Sequence, residues 1–153
     1  MSKQQIMHYF TLPIRFAIAL TASLIAYFLV LSLVDLHTNP FFSLFNGVIT
    51  GFAIFEAIRY RRIELGEDYN YTKGFTTGLV TGFIASIFFT IFMAVYASEI
   101  DANFLQKLAP DYAASYDIGV GVFSFIVLLM GFATSVVLTL TFMQLYKNKM
   151  KKE

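Results

Sequence analysis

Four long apolar runs, separated by short polar segments, constrain the fold of this chain more than any other feature of its sequence. The runs cover approximately residues 12–34, 41–58, 74–98 and 118–146. A helix needs about 20 predominantly apolar residues to cross a hydrocarbon core of ~30 Å. Charged residues make up only 14% of the chain, whereas soluble domains average about 25%. The sequence therefore predicts an all-α membrane protein, with residues 1–153 forming a single domain of four transmembrane helices in a compact bundle.

Basic residues lie almost entirely on one side of the membrane that these runs define. Lys107 is the only one of the 11 Lys and Arg residues that falls between runs one and two or between runs three and four. Because Lys and Arg in short loops favour the cytoplasmic side, we expect both termini to be cytoplasmic. Run one is too long for the apolar core of a signal peptide. We expect it to be a retained helix with Pro13 in its first turn, where the missing N–H costs nothing.

A short amphipathic helix is predicted in the outer segment between runs three and four. Ile100, Phe104 and Leu108 recur there every four residues, so that they share one face of a helix. Asp101 can accept a hydrogen bond from the backbone of its first turn. His37 lies in the other outer turn, between runs one and two, and we expect it to be solvated there.

Small residues recur at four-residue intervals in every run, with Ala22 and Ala26 in run one, and predict close packing of helices. Residues four apart share a helix face, and small side chains let two backbones approach each other. We expect this packing to hold the four helices of one chain together. The alternative is that the stripe of run three docks another copy or another membrane protein. The predicted helix-packing residues are Gly47 and Gly51 in run two, Gly74, Gly78, Gly82 and Ser86 in run three, and Gly131 and Ser135 in run four.

Glu56 is the only acidic residue clearly inside an apolar run. A carboxylate inside a membrane is costly, and such groups often lie on ion or proton paths. Arg59 lies three positions later, a spacing that allows an ion pair on one helix, and Arg15 of run one lies at a similar depth. We favour structural pairing. The alternative, a path for ions or protons through Glu56, predicts that Glu56→Gln abolishes a flux while leaving the fold intact.

Basic side chains next to runs two and three could contact lipid headgroups. Each basic residue near an anionic membrane surface is worth about 1 kcal/mol of attraction. The simpler interpretation is that these residues only set the topology of the chain. The candidate headgroup ligands are Arg59, Arg61, Arg62 and Lys73.

Several residue types and motifs that enzymes and metal sites use are absent from the sequence. The chain has no Cys, which excludes disulfides, thiolate metal sites and cysteine nucleophiles. No His or Asp lies inside a run, and no HExxH, P-loop or nucleophile-elbow motif occurs. We therefore expect no enzyme activity, no cofactor and no metal site. Nucleic-acid binding is not expected either, because no basic domain stands away from the membrane.

The central loop and the outer segment carry short motifs that recur together in a known family. They are Ile58-Arg59-Tyr60-Arg61-Arg62, Gly66, Tyr71-Thr72-Lys73-Gly74-Phe75 and Ile100-Asp101-Ala102-Asn103-Phe104-Leu105. With these motifs the chain resembles the bacterial "domain of unknown function 4199" family, which is common in Bacteroidota. The outer motif of that family usually reads Ile-Asp-Pro, and Ala102 replaces the proline here. The resemblance implies a bacterial inner-membrane protein with four helices, and it implies no known activity and no catalytic or binding residues.

These observations predict a multi-pass protein of the bacterial inner membrane. The favoured function is a non-enzymatic membrane subunit or scaffold that binds membrane lipids or a partner membrane protein, and a homo-oligomer is compatible with it. The alternative is a small oligomeric transporter or channel with Glu56 on its path. A membrane enzyme that acts on lipid-linked substrates is a third and weaker alternative.

Overall fold

Four helices long and apolar enough to cross a membrane make up most of the structure. The computed structural model describes residues 3–108 and 119–150, with side chains for 7–108 and 119–147. Within these ranges the fold is all-α, as predicted, and contains no β-strand. The elements are α1 (Lys3–Leu33), α2 (Pro40–Leu65), a 3₁₀ turn (Gly66–Asp68), α3 (Tyr71–Val95), a π-helical turn (Tyr96–Ile100), α4 (Phe104–Leu108) and α5 (Val120–Met150).

The four long helices alternate in direction, so that the bundle has two chemically different ends. We call the end that carries Tyr9, Arg61 and Lys73 the basic end. The opposite end, which carries His37 and Phe104, is the acidic end. α3 is the central helix, since it packs against α1, α2 and α5.

Side chains and proline define where α2 and α3 begin. Asn39 precedes α2, and its side-chain oxygen accepts a hydrogen bond from the Phe41 N–H at 3.0 Å, while Pro40 occupies the first helical position. Asn70 precedes α3, and its side-chain oxygen accepts from the Lys73 N–H at 3.0 Å. Both helices therefore start at a polar cap outside the apolar run.

The start of α1 differs from the prediction. α1 begins at Lys3, about three turns before Pro13, which therefore lies in the helix interior and not in its first turn. Residues 3–8 include Lys, Gln and Met, which are good helix formers, and they extend the helix beyond the apolar run. Because Pro13 has no N–H, the carbonyl of Tyr9 one turn earlier loses its helical donor. That carbonyl becomes part of a polar contact described below.

The predicted outer helix corresponds to α4, which has a single buried apolar residue. Phe104 is 1% exposed, whereas Ile100 is 62% exposed and Leu108 is partly exposed. The Asp101 side chain accepts a hydrogen bond from the Asn103 N–H at 3.1 Å, ahead of the helix. The predicted start of run four at residue 118 lies outside the described residues.

The small-residue stripe of α3 packs against small and flexible residues of α5 in a regular antiparallel register. A side chain added at Gly82 would place its Cβ 2.5 Å from the Cβ of Ser135, and one added at Gly131 would lie 2.8 Å from the Cβ of Ser86. Each step of four residues along α3 meets a step of four back along α5. The facing pairs are Gly74 with Met143, Gly78 with Thr139, Gly82 with Ser135, and Ser86 with Gly131.

Gly47 does not take part in this kind of contact, contrary to its assignment as a packing residue. An added Cβ at Gly47 would meet no atom within 4 Å, and one at Gly51 would make ordinary contacts at 3.5 Å or more with Leu138 and Phe142. α2 and α5 are therefore farther apart near Gly47 than α3 and α5 are along their stripe. The space between them is the groove described in the next section.

We predict that Gly82→Leu destabilises the isolated protein by at least about 1–3 kcal/mol, the usual cost of overpacking. The new side chain would overlap Ser135 and separate α3 from α5. Gly121→Leu is the matched control, because a side chain there meets nothing within 4 Å. Unfolding in mixed micelles measures the free energies. If Gly82→Leu is as stable as the control but loses self-association, the stripe instead docks another copy.

Candidate functional site

A groove lies on the surface of the bundle between α2 and α5. Its volume is about 800 Å³, and its walls are almost entirely apolar. Gly47 and Gly51 form part of its floor on α2, and Val137 and Leu138 lie on the α5 side. Several of its wall residues are strongly exposed, among them Leu44, Val48, Phe52 and Val137.

The groove narrows toward the basic end. Leu138 covers Gly51, whereas nothing covers Gly47. One turn further toward the basic end, the rings of Phe55 and Phe142 meet with their centroids 5.4 Å apart. The Tyr146 ring of α5 stacks on Phe55 at 5.9 Å. Aromatic rings therefore line the basic end of the groove, just below the charged residues of α2.

Charged side chains of α2 lie next to the basic end of the groove. Nη1 of Arg59 donates to Oε1 of Glu56 at 3.1 Å, and the Arg59 side chain is still 56% exposed. The guanidinium of Arg62 lies over the Tyr146 ring, 5.7 Å from its centroid. Glu56 and Arg59 are also close enough to interact electrostatically with Tyr146. The apolar groove thus ends at a cluster of two arginines, one carboxylate and one phenol.

Glu56 therefore has the local partner that its spacing suggested, and Arg15 does not reach it. Arg15 is exposed on α1, and no hydrogen bond or ion pair joins it to another described residue. It lines a smaller depression of about 470 Å³ between α1 and α2, together with Tyr60 and Glu64. The two candidate intramembrane charges lie on different surfaces of the bundle.

Arg61 is one of the four candidate headgroup ligands, and its position in the structure does not support that role. The residue is 1% exposed and lies between α1, α2 and α3. Its Nε donates to the Thr77 hydroxyl of α3 at 3.0 Å, and its Nη1 donates to Oε2 of Glu64 at 2.9 Å. A lipid headgroup cannot reach a guanidinium whose donors are already directed into the protein.

The third contact of Arg61 explains how α1 accommodates Pro13. Nη2 of Arg61 donates to the carbonyl oxygen of Tyr9, which is the carbonyl that Pro13 leaves without a helical donor. The guanidinium also lies over the Tyr9 ring, 4.3 Å from its centroid. The sequence contained a signal for this contact, since a proline inside a helix always leaves a carbonyl free four residues earlier.

Lys73 differs from Arg61 in that it remains at the surface. Its ammonium donates to the backbone carbonyl of Asp68 at 2.8 Å, in the loop between α2 and α3. Tyr9 donates from its hydroxyl to the carbonyl of Lys73 at 3.4 Å. Lys73 thus helps to close the loop, and its charge stays at the basic end.

His37 is buried, contrary to the expectation of a solvated side chain. It is 8% exposed, its ring stacks on Phe104 at 5.6 Å, and the edge contacts of Phe28 enclose it further. Nearby, Nζ of Lys107 donates to Oδ2 of Asp101 at 2.9 Å. This hydrogen bond lowers the pKa of Asp101 and raises the pKa of Lys107. The Phe104 side chain buries His37 because α4 folds back over the turn after α1.

The helices define the class of protein, and a sequence match defines the family. Four membrane-length helices, with no strand in the described ranges, define a multi-pass helical membrane protein. Residues 15–117 match the family described as protein of unknown function (DUF4199), and the chain belongs to that family. The match covers most of α1 and all of α2, α3 and α4. No curated protein and no solved structure matches the chain.

We predict that Arg61→Lys destabilises the protein by about 2 kcal/mol, in the range for hydrogen bonds to charged groups. A single ammonium cannot reproduce the fork of donors that reaches Tyr9, Glu64 and Thr77. The control Arg59→Lys changes an exposed pair within one helix, so its cost should be about 0.5 kcal/mol or less. Equal unfolding free energies for the two variants would contradict a structural role for Arg61.

Proposed function

We propose that the protein is a non-enzymatic subunit or scaffold of a bacterial inner membrane, and that its α2–α5 groove binds another membrane component. The observation that carries the proposal is the groove itself, about 800 Å³ of apolar space beside Gly47. The family description names no activity, so the proposal rests on the geometry of the site.

The location of the groove requires an apolar occupant. Its walls are helix surfaces within the membrane-length segments of α2 and α5. Water is absent from the hydrocarbon core, so an open groove at this depth is covered by lipid or by another protein. In a membrane, association depends on close packing and on polar contacts, since lipid tails are as apolar as the protein surface. A component that fits the groove and meets the arginines at its end would therefore be held in preference to others.

The contacts of Glu56 favour binding over transport. Glu56 is paired with Arg59 beside the groove, on the outside of the α1–α3 core. At the middle of the bundle the described core positions between the helices are filled by side chains such as Leu20, Ile54 and Ala85, each 2% exposed or less. A transporter would need a path through these residues. A flux in proteoliposomes that Glu56→Gln abolishes would nevertheless favour the transporter.

The charge distribution supports an orientation with the basic end in the cytoplasm. The sequence has no Cys, so a single introduced Cys can report the side of the membrane on which it lies. We predict that Ala102→Cys reacts with a membrane-impermeant maleimide in intact spheroplasts. Glu67→Cys, which is equally exposed in the loop after α2, should react only after permeabilisation. The reverse pattern would overturn the orientation.

We predict that Gly47→Leu removes a component that the native protein retains on gentle purification. A Cβ added at Gly47 meets no atom within 4 Å, so a leucine side chain can enter the groove and the fold should be preserved. Gly121→Leu is the matched control, because it makes the same change at another open position of the surface. Native mass spectrometry of the tagged variants measures what stays bound. If both variants retain everything that the parent retains, the groove is not the binding site.

A further inference from the structure

The occupant of the groove can be inferred from the charge at its end. We infer that the groove holds the acyl chain of an anionic phospholipid, whose phosphate lies on Arg59. This inference rests on the proposed function, because it names the component that the α2–α5 groove binds.

One face of α2 carries both halves of such a site. Gly47, Gly51, Phe55 and Arg59 recur every four residues and therefore lie along one face of the helix. The first three line the groove, and Arg59 follows at its basic end. An amphiphile with an apolar tail and a negative head matches this order of residues, whereas a neutral lipid matches only the apolar part.

The dimensions of the groove fit an acyl chain. Leu44 and Phe55 both line it, and their separation corresponds to about 17 Å at the rise of a helix. One leaflet contributes about 15 Å, half of a hydrocarbon core of ~30 Å.

Arg59 can receive a phosphate without being released from the fold. Its side chain is 56% exposed, although it also pairs with Glu56. The guanidinium of Arg62, held over the Tyr146 ring, adds positive charge near the same end of the groove. Guanidinium groups match phosphate oxygens with two parallel hydrogen bonds. Glu56 opposes the anion, so the site should discriminate moderately between anionic and neutral lipids.

Fluorescence can test the inference, because the chain has no Trp. Phe52→Trp places a single indole in the groove, and Phe88→Trp places one on an exposed face of α3 outside it. Each variant is reconstituted into phosphatidylcholine bilayers that contain increasing fractions of brominated phosphatidylglycerol or brominated phosphatidylcholine. Bromine quenches an indole that it contacts, so the two titrations give the relative affinity of each site for the two lipids.

We expect the titrations of Phe52→Trp to give an affinity of the groove for phosphatidylglycerol about fivefold higher than for phosphatidylcholine. This is the factor that one basic residue contributes at an anionic surface. The indole at position 88 should show a ratio near one. Arg59→Gln in the Phe52→Trp background should bring the ratio close to one, whereas Arg15→Gln, an exposed arginine on another surface, should leave it unchanged. Glu56→Gln should raise it, because it removes the opposing charge.

Other outcomes separate the inference from the proposed function. The anionic-lipid site would be overturned if the affinity ratio of phosphatidylglycerol to phosphatidylcholine were equal at positions 52 and 88. It would also be overturned if Arg59→Gln and Arg15→Gln lowered this ratio equally. If no brominated lipid quenches Phe52→Trp while Phe88→Trp is quenched, a protein covers the groove. In that case the lipid inference fails and the proposed function stands. The proposed function fails if Gly47→Leu displaces nothing at all.

Discussion

The close approach of α3 to α5 determines the arrangement of the other helices. At Gly82 and Gly131 the facing helix leaves no room for a Cβ. In a membrane this proximity replaces the hydrophobic effect as a source of stability, since dispersion contacts and local polar contacts depend on short distances. The hydroxyls of Ser86 and Ser135 donate to carbonyls of their own helices at 2.8 and 2.7 Å, so they pack as small side chains without unsatisfied polar groups. Once α5 is fixed on α3, its distance from α2 follows from the larger side chains between them.

At the basic end, three helices meet and their buried polar groups need hydrogen-bond partners. Pro13 removes a donor from α1, and Arg61 replaces it from α2 while also reaching Thr77 of α3. A buried guanidinium is expensive unless its donors are used, and here each described contact directs it to a different helix or to Glu64 of its own helix. The proline and the arginine therefore compensate for each other. Neither would be tolerated easily at this depth alone.

Sequence patterns predicted the helices better than they predicted the roles of individual side chains. Run lengths and the spacing of Gly74, Gly78 and Gly82 depend on local periodicity, which the chain displays directly, and the four membrane-length helices are confirmed. The burial of Arg61 and His37 depends on which helices are neighbours and at what depth, and no local pattern contains that information. Arg61, Arg62 and Arg59 are equivalent in a charge count. Only the packing of α1 and α3 makes the first of them structural and leaves the others beside the groove.

Gly47 illustrates why a packing motif and a binding surface can have the same sequence signature. A glycine pair four residues apart lets something approach the helix closely, and the identity of what approaches is decided by the rest of the fold. On α3 the approaching element is α5 of the same chain. On α2 the corresponding face is covered by Leu138 at Gly51 but by nothing at Gly47. Because α3 already holds α5, α2 keeps a small-residue surface that is free for a component of the membrane, and Arg59 lies on the same face.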